Sequence, residues 1–176
     1  IKIRYKMSSK GKVAIVTGAT GGIGFAVAKR LGQDGYTVIL NGIDDAAGAE
    51  RVKQLIAEGI KAEYYGFDVT DEKAVTKNIK AIGEKYGKID TLVNNAGGLG
   101  GRSRFEEMTT EFYRSVMALN LDSTFFASRA AIPYLKKGDH PSIINYTSNA
   151  AWTAGGPGAG IYGTSKAGVN AITKAL

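Results

Sequence analysis

The sequence predicts an α/β protein in which helices cover both faces of a doubly wound parallel sheet, giving three α/β/α layers. Two observations carry this prediction. Short runs of β-branched and apolar residues alternate strictly with longer segments of helical periodicity. The glycine-rich and polar segments follow the ends of the predicted strands, which is where sheets of this kind bind ligands.

The elements follow one another with short connections. The first run, at residues 12–17, is almost wholly apolar, as expected for a strand buried on both faces. Acidic residues open the third helix, where the positive end of the helix dipole favours them. The segment 149–160 is rich in Gly and Ala and is predicted to be a loop. The predicted strands are 12–17, 36–41, 61–67, 89–94 and 142–147, and the predicted helices are 25–35, 44–58, 71–86, 109 to about 137, and a closing helix to 176.

Charge and composition narrow the class of protein. The net charge of +7 is concentrated in the first 12 residues, which hold five bases and no acid and leave 18 bases against 16 acids. This distribution argues against a nucleic-acid-binding face. Residues 1–10 are interpreted as a lead-in and 11–176 as a single domain. Because Met7 stands just ahead of the first strand, residues 1–6 are interpreted as vector sequence.

Several kinds of site are disfavoured by residue usage. There are no cysteines, and the single histidine, His140, lies in a turn-like stretch where we expect it to be solvated. A thiolate nucleophile, a metal centre and a Ser-His-Asp triad are therefore not expected. The sequence has neither an export signal nor an apolar run long enough to span a membrane, so we expect no membrane partner and a cytoplasmic location.

A glycine-rich turn, Gly18-Ala-Thr-Gly-Gly-Ile-Gly24, joins the first strand to the first helix. Glycines let the backbone approach a pyrophosphate closely, and the start of a helix offers unpaired N–H groups. The turn lacks the Gly-Lys-Ser/Thr ending of an ATPase loop, which disfavours hydrolysis of nucleoside triphosphates. By itself, such a turn indicates a nucleotide site only weakly.

A second motif lies in the closing helix. Tyr162 and Lys166 are four residues apart, so a helix places them on one face. An adjacent ammonium favours the phenolate and lowers the pKa of a tyrosine from its free value of about 10. Such a tyrosine can exchange a proton with a carbonyl or alcohol oxygen, and Ser148, after the fifth strand, can hydrogen-bond the same oxygen. Taken alone, Tyr-x-x-x-Lys also fits an ordinary surface pair.

In combination these motifs resemble the short-chain dehydrogenase/reductase family over residues 12–176. The resemblance implies a Rossmann-like fold and an oxidoreductase that transfers a hydride between a nicotinamide cofactor and a secondary alcohol or ketone. Relatives of this kind include 3-oxoacyl reductases and 3-hydroxybutyrate or sugar dehydrogenases. The motifs are Thr17-Gly18-x-x-x-Gly22-x-Gly24, Asp68-Val69, Asn94-Asn95-Ala96-Gly97, Asn120, Ser148 and Tyr162-x-x-x-Lys166.

The resemblance also implies residue roles. Tyr162 would be the acid/base, Lys166 would lower its pKa and hold the nicotinamide ribose, and Ser148 would orient the substrate oxygen. Asn120 would hold a water that links Lys166 to solvent. Trp152 and Leu99 either line the substrate side or pack within their loops. The implied cofactor-binding residues are Gly18, Thr20, Gly21, Gly22, Ile23, Gly24, Asn41, Asp68, Val69, Asn95, Ala96 and Gly97, together with Tyr162 and Lys166.

The choice between NAD and NADP depends on charge near the ribose. A 2′-phosphate needs a cation, whereas a free 2′-hydroxyl usually meets an acid after the second strand. The family's usual basic positions hold Gly21 and Ile43, and the usual acid position holds Asn41. Asp44 and Asp45 follow closely. We therefore expect no cation at this point and NAD(H) as the cofactor.

The chain ends at Leu176, inside the helix that carries Tyr162 and Lys166, whereas relatives continue through two more strands and a substrate lid. We therefore expect a fragment of a longer enzyme, incomplete at its C-terminal end and with an open sheet edge. Relatives pair through the long fourth helix and the tyrosine-bearing helix, so a homo-oligomer, tetramer or dimer, is expected for the full-length form. A catalytically inactive nucleotide-binding or regulatory protein of the same fold is the alternative.

Overall fold

The fold is built on one parallel sheet, which a computed structural model describes together with its helices for residues 11–176. The five strands stand in the order β3-β2-β1-β4-β5. The chain moves outward from β1 to β3 and then crosses to β4, so the order reverses between β1 and β4. Ligands of such sheets bind at this switch point. The strands are β1 (Val13–Val16), β2 (Thr37–Gly42), β3 (Ala62–Gly66), β4 (Thr91–Asn94) and β5 (Ser142–Asn145).

The helices begin where the sequence supplies capping side chains. Asp44 accepts the backbone N–H of Ala47 at the start of α2, and Asp71 accepts two N–H groups at the start of α3. Thr109 caps α4 in the same way. The helices are α1 (Gly22–Gln33), α2 (Asp45–Ala57), α3 (Glu72–Tyr86), α4 (Thr110–Met117), α5 (Ser123–Leu135), α6 (Ala150–Thr153) and α7 (Gly160–Ala175), with a π turn at Ala118–Asp122 and a 3-10 turn at Phe105–Glu107.

The two faces of the sheet bury two separate apolar cores. Strand β1 divides between them, because Val13 and Ile15 point to one face and Ala14 and Val16 to the other. Apolar residues of α3 and α5 cover the first face. Residues of α1 and α2 cover the second. The predicted doubly wound, three-layer fold is therefore confirmed, whereas the predicted lead-in lies outside the described residues.

Three predicted elements differ from the structure by more than a shift of one or two residues at their ends. The predicted fourth helix is a helical stretch from Thr110 to Leu135, but a π turn at Ala118–Asp122 interrupts its α-helical hydrogen bonding between α4 and α5. The hydroxyl of Ser123 donates to the Leu119 carbonyl (2.7 Å) and that of Thr124 to the Asn120 carbonyl (3.2 Å), which satisfies backbone oxygens in the widened turn. The predicted loop 149–160 contains the short helix α6. Helix α1 begins three residues earlier than predicted, inside the glycine turn.

The last strand, β5, lies at one edge of the sheet. Its side chains alternate in exposure, and Ile144 is 46% exposed. An apolar side chain of this size on an edge strand is a surface on which further chain can pack. No helix within residues 11–176 is both long and apolar enough to cross a membrane.

Candidate active site

The glycine turn forms a backbone cradle at the end of β1. Gly18 and Gly22 adopt left-handed conformations, with φ of 61° and 53°. A Cβ on Gly24 would lie 2.3 Å from the Gly18 carbonyl oxygen, so only glycine lets α1 approach the turn this closely. The first turn of α1 has no side-chain cap and no acid. Its N–H groups and positive dipole end are therefore available to an anion.

Asn95 and Thr17 fasten this cradle to the end of β4. The carboxamide nitrogen of Asn95 donates to the carbonyls of Thr17 and Gly18, both at 3.0 Å. The hydroxyl of Thr17 accepts the N–H groups of Asn95 (3.1 Å) and Ala96 (3.0 Å). Two strands that meet at the switch point are thus locked together. Sequence reasoning gave Thr17 no role, because its contacts are made more than 75 residues away along the chain.

Asn41 braces the cradle from the other side. Its side-chain oxygen accepts the N–H of Gly18 (3.4 Å), and its nitrogen donates to the carbonyls of Phe67 (2.8 Å) and Tyr65 (3.3 Å). Asn41 is 1% exposed. Its carboxamide therefore ties β2 to the glycine turn and to the end of β3.

A cavity of about 210 Å³ opens above this cradle. Asp68 is not part of its wall: the carboxylate is exposed at the strand end and accepts the N–H and hydroxyl of Thr70, both at 2.8 Å. Half of the residues predicted to bind a cofactor, seven of fourteen, line this cavity. The wall consists of Gly18, Thr20, Asn41, Gly42, Ile43, Phe67, Val69, Asn95, Ala96 and Gly97.

A larger cleft, of about 560 Å³, lies at the opposite end of the sheet, beside the first residues of β2 and β3. Glu63 and Tyr86 line it, and the Tyr86 hydroxyl donates to the Glu63 carboxylate (2.7 Å). Its wall contains none of the predicted site residues. Size alone would select this cleft, but the chemistry of the smaller cavity assigns the candidate site there.

Lys166 lies under the cavity. Its ammonium donates to the Tyr146 carbonyl (2.9 Å) and stands 5.9 Å from the centre of the Tyr162 ring. Lys166 is 4% exposed, and burial lowers its pKa below the ordinary value. A Cβ on Gly97 would lie 3.1 Å from the ammonium nitrogen. Since Gly97 also lines the cavity, the lysine, the tyrosine and the cradle belong to one site.

Asn120 fixes the backbone beside this lysine. Its side-chain oxygen accepts the N–H of Gly98 (2.9 Å), and its nitrogen donates to the carbonyls of Gly98 (2.8 Å) and Val116 (3.0 Å). The π turn is what carries this fully buried residue. Asn120 therefore clamps the 97–98 backbone to the helix, and any bridging water is an addition to these contacts.

Ser148 and Tyr162 complete the reactive side. The Ser148 hydroxyl oxygen accepts the N–H of Ala150 (3.2 Å), which leaves its proton to donate elsewhere. The Thr147 hydroxyl donates to the Lys166 carbonyl (3.1 Å) and fixes α7 to the end of β5. Tyr162, at the start of α7, is half-buried. A hydrogen-bond donor and a phenol thus stand on neighbouring elements at the same end of the sheet.

The loop that carries Arg102 and Ser103 contacts the loop that carries Pro157 and Gly158. Arg102 donates to the Pro157 carbonyl (2.7 Å), and the Ser103 N–H donates to the Gly158 carbonyl (3.0 Å). Trp152, on α6, is 79% exposed, and Leu99 is half-buried. Packing within its own loop therefore does not account for Trp152.

A cation on α2 packs against the glycine turn, although neither Gly21 nor Ile43 supplies a charge there. Arg51, on α2, donates from Nε to the Thr20 carbonyl (3.0 Å), and its guanidinium lies 4.7 Å from the centre of the Phe25 ring. Arg51 could not be found from the sequence because it lies nine residues after the end of β2, and only the packing of α2 brings its side chain to the glycine turn. Asp44, by contrast, is engaged as the cap of α2.

His140 is the single histidine of the sequence. The side chain of His140 is 79% exposed, next to Asp139 and ahead of β5, which agrees with the prediction of a solvated residue. Within residues 11–176, no group of three or more His, Asp and Glu side chains is arranged to hold a metal ion.

The fold and the site together define a class of protein. A backbone cradle for an anion lies at the switch point of a parallel sheet, next to a phenol with a buried lysine beneath it. This arrangement is typical of dinucleotide-binding α/β domains. The family model described as short chain dehydrogenase matches residues 12–176. The chain belongs to the short-chain dehydrogenase family.

Individual relatives show how much of their length the chain represents. It is 38% identical to a 3beta-hydroxysteroid dehydrogenase of Mediterraneibacter gnavus, covering 94% of this chain and 59% of the relative. It is 37% identical to an NADP-dependent (R)-specific alcohol dehydrogenase of Lentilactobacillus kefiri, covering 94% and 65%. The crystal structure of the NADH-dependent reductase A1-R' superposes with a TM-score of 0.89 at 37% identity, over 94% of this chain and 70% of that one. The chain thus spans about three fifths of these curated relatives.

Proposed function

We propose that the protein is a nicotinamide-dependent oxidoreductase that interconverts a secondary alcohol and a ketone, with Tyr162 as the acid/base. One observation carries the proposal. Gly97 lines the cavity above the glycine cradle, and the same residue lies against the Lys166 ammonium, which stands 5.9 Å from the Tyr162 ring. A dinucleotide on the cradle would therefore reach the proton-transfer pair without leaving the site.

The residues present suit such a cofactor. The uncapped start of α1 and the Gly18–Gly24 backbone, with Thr20, Gly21, Gly22 and Ile23, would hold the pyrophosphate. The adenosine half of the cofactor would lie against Val69, Ala96 and Gly97, with Asp68 at the edge of the site. Asn95 would hold the backbone beneath it. Tyr162 and Lys166 would contact the nicotinamide ribose. When bound, the nicotinamide supplies or accepts the hydride.

The chain's own part in the chemistry is proton transfer and orientation. Tyr162 gives its proton to the carbonyl oxygen in reduction and takes one from the alcohol in oxidation. Ser148 donates its hydroxyl hydrogen to the same oxygen and fixes its position. The Lys166 ammonium, 5.9 Å from the centre of the Tyr162 ring, would hold the nicotinamide ribose beside the phenol. Asn120 holds the 97–98 backbone against Lys166, and a water beside it would relay protons from solvent.

The cofactor form and the substrate are finer parts of the proposal. We favour NAD(H), because neither Gly21 nor Ile43 supplies a charge at the positions next to the ribose. Named relatives use either form, since one is NADP-dependent and another NADH-dependent. The substrate is a small molecule with a secondary alcohol or ketone, and the exposed Trp152 and the half-buried Leu99 are placed to border it.

Two further features belong to the proposal. A homo-oligomer of the full-length form, formed through α4, α5 and α7, is supported by the exposure of Tyr113 (43%) and Phe125 (45%) on the first two of these helices. Size-exclusion chromatography with light scattering tests it, and a monomer would contradict it. The proposed location is the cytoplasm, which cell fractionation tests.

The Tyr162→Phe substitution tests the central assignment. Removing the hydroxyl leaves the ring in place, so binding of NADH, followed by its fluorescence, should stay within about twofold of the wild type. Turnover of secondary alcohols and ketones should fall at least about a hundredfold, because general acid–base catalysis contributes this much. Tyr146→Phe is the control with the same change nearby. Unchanged turnover in Tyr162→Phe would contradict the assignment, and NADH binding without turnover in the wild type would favour the inactive alternative.

A further inference from the structure

We infer that Arg51 is a specificity-determining residue that receives the 2′-phosphate of NADP(H), so that the site accepts this cofactor as well as NAD(H). The inference rests on the dinucleotide site proposed above. Neither the glycine turn nor the end of β2 supplies a cation. The charge comes instead from α2, which packs beside the turn.

Three contacts hold the guanidinium in place. Its Nε donates to the Thr20 carbonyl (3.0 Å), its Nη1 donates to the Gln54 side chain (2.9 Å), and its Cζ lies 4.7 Å from the centre of the Phe25 ring. An arginine has five N–H donors, of which these hydrogen bonds use two. Three donors are left for a ligand, on a group whose orientation is already fixed.

The charge of Arg51 is not neutralised by a salt bridge. No carboxylate lies within 4.0 Å of its guanidinium among residues 11–176. The nearest acid along the helix, Glu50, contacts Gln54 instead. A fixed, unneutralised guanidinium beside a nucleotide cavity is suited to bind phosphate.

The space next to Arg51 also suits a phosphate. A Cβ built on Gly21 meets no atom within 4 Å, so this side of the turn is open. At the end of β2, the usual acid position holds Asn41, whose carboxamide is engaged with the Gly18 N–H and with the carbonyls of Phe67 and Tyr65. The carboxylate that usually receives a free 2′-hydroxyl is thus missing, and an arginine stands close by.

Two nucleotides that differ only in the 2′-phosphate isolate this interaction. Adenosine 5′-monophosphate and adenosine 2′,5′-bisphosphate would be titrated calorimetrically into the wild type, Arg51→Gln and Arg30→Gln. Arg30 is the matched control, because it is an exposed arginine on α1 that pairs with Asp34. Arg51→Gln should weaken the bisphosphate about tenfold and the monophosphate by less than about twofold. Arg30→Gln should change neither.

The outcomes separate the inference from the proposed function. If Arg51→Gln weakens both nucleotides equally or neither of them, the inference is overturned while the dinucleotide site stands. If the wild type binds neither nucleotide, both fail. Should Arg51→Gln not fold, the wild type still decides: at low salt the bisphosphate should bind at least as tightly as the monophosphate, and weaker binding of the bisphosphate overturns the inference.

Discussion

Gly24 is the position where one methyl group should damage both stability and nucleotide binding. It lies in the first turn of α1, and a Cβ there would come within 2.3 Å of the Gly18 carbonyl oxygen and 2.5 Å of the Asn95 amide nitrogen. These two atoms are hydrogen-bonded to each other at 3.0 Å. Alanine would therefore have to push apart a contact that closes the cradle.

The cost of Gly24→Ala follows from the competing effects. Overpacking costs about 1–3 kcal/mol, and the disturbed Asn95 hydrogen bond adds about 1 kcal/mol. The better helix propensity of alanine returns at most about 1 kcal/mol. We expect the free energy of unfolding to fall by about 2 kcal/mol. Nucleotide affinity should fall at least about tenfold, because the displaced carbonyl belongs to the anion cradle.

Urea denaturation and titration with adenosine 5′-monophosphate measure these two effects. Gly21→Ala is the matched control in the same turn, since its backbone is extended (φ −167°) and its Cβ would stand in open space. Its free energy of unfolding should change by less than about 0.5 kcal/mol. If Gly24→Ala is as stable as Gly21→Ala and binds the nucleotide as tightly, close packing of α1 on the turn is not what forms the site.

The other predictions concern buried polar groups. Asn41→Asp should lower the free energy of unfolding, measured by urea denaturation, by about 2–4 kcal/mol. The reason is that a carboxylate would replace the amide that donates to two carbonyls. The control Ile43→Asp, at an exposed position, should lower the free energy of unfolding by less than about 0.5 kcal/mol. Equal costs would contradict the bracing role of Asn41. Burial lowers the pKa of Lys166 in the folded protein below the 10.5 of the unfolded chain. Between these two pKa values the unfolded chain holds the Lys166 proton more tightly than the folded protein does. Raising the pH through this window therefore removes the destabilisation caused by the buried charge. The stability of Lys166→Met relative to the wild type should accordingly decline as the pH rises from 7 toward 10.5, and a constant or rising difference in urea denaturation would contradict this.

The fold could be predicted from the sequence because strand burial and helix periodicity are local patterns. Strand β1 is apolar at every position, since both faces of the sheet are covered, and Asp71 marks the start of α3 through a contact with the next turn. The π turn could not be predicted in this way. It depends on the hydroxyls of Ser123 and Thr124, which donate to backbone carbonyls four residues earlier in the chain. The same two residues fit an uninterrupted helix equally well.

In the candidate site, too, the residues of short local motifs could be predicted, whereas residues placed by long-range packing could not. The glycine turn and the Tyr162–Lys166 spacing are short motifs, so their residues could be found without coordinates. Arg51 could not, because its contact with Thr20 spans 31 residues and depends on how α2 packs against the turn. The sequence also did not reveal that Asn41 faces inward, since an asparagine at a strand end fits a ligand contact as well as a structural one.

The central claim is that one site holds a dinucleotide on the glycine cradle and brings its nicotinamide to Tyr162 and Lys166. A crystal structure of the protein with NAD⁺ tests this most directly. The account predicts the pyrophosphate on the N–H groups at the start of α1, and the nicotinamide ribose within hydrogen-bond reach of the Lys166 ammonium and the Tyr162 hydroxyl. A dinucleotide bound instead in the cleft beside Glu63 and Tyr86, or with its nicotinamide pointing away from Tyr162, would contradict it.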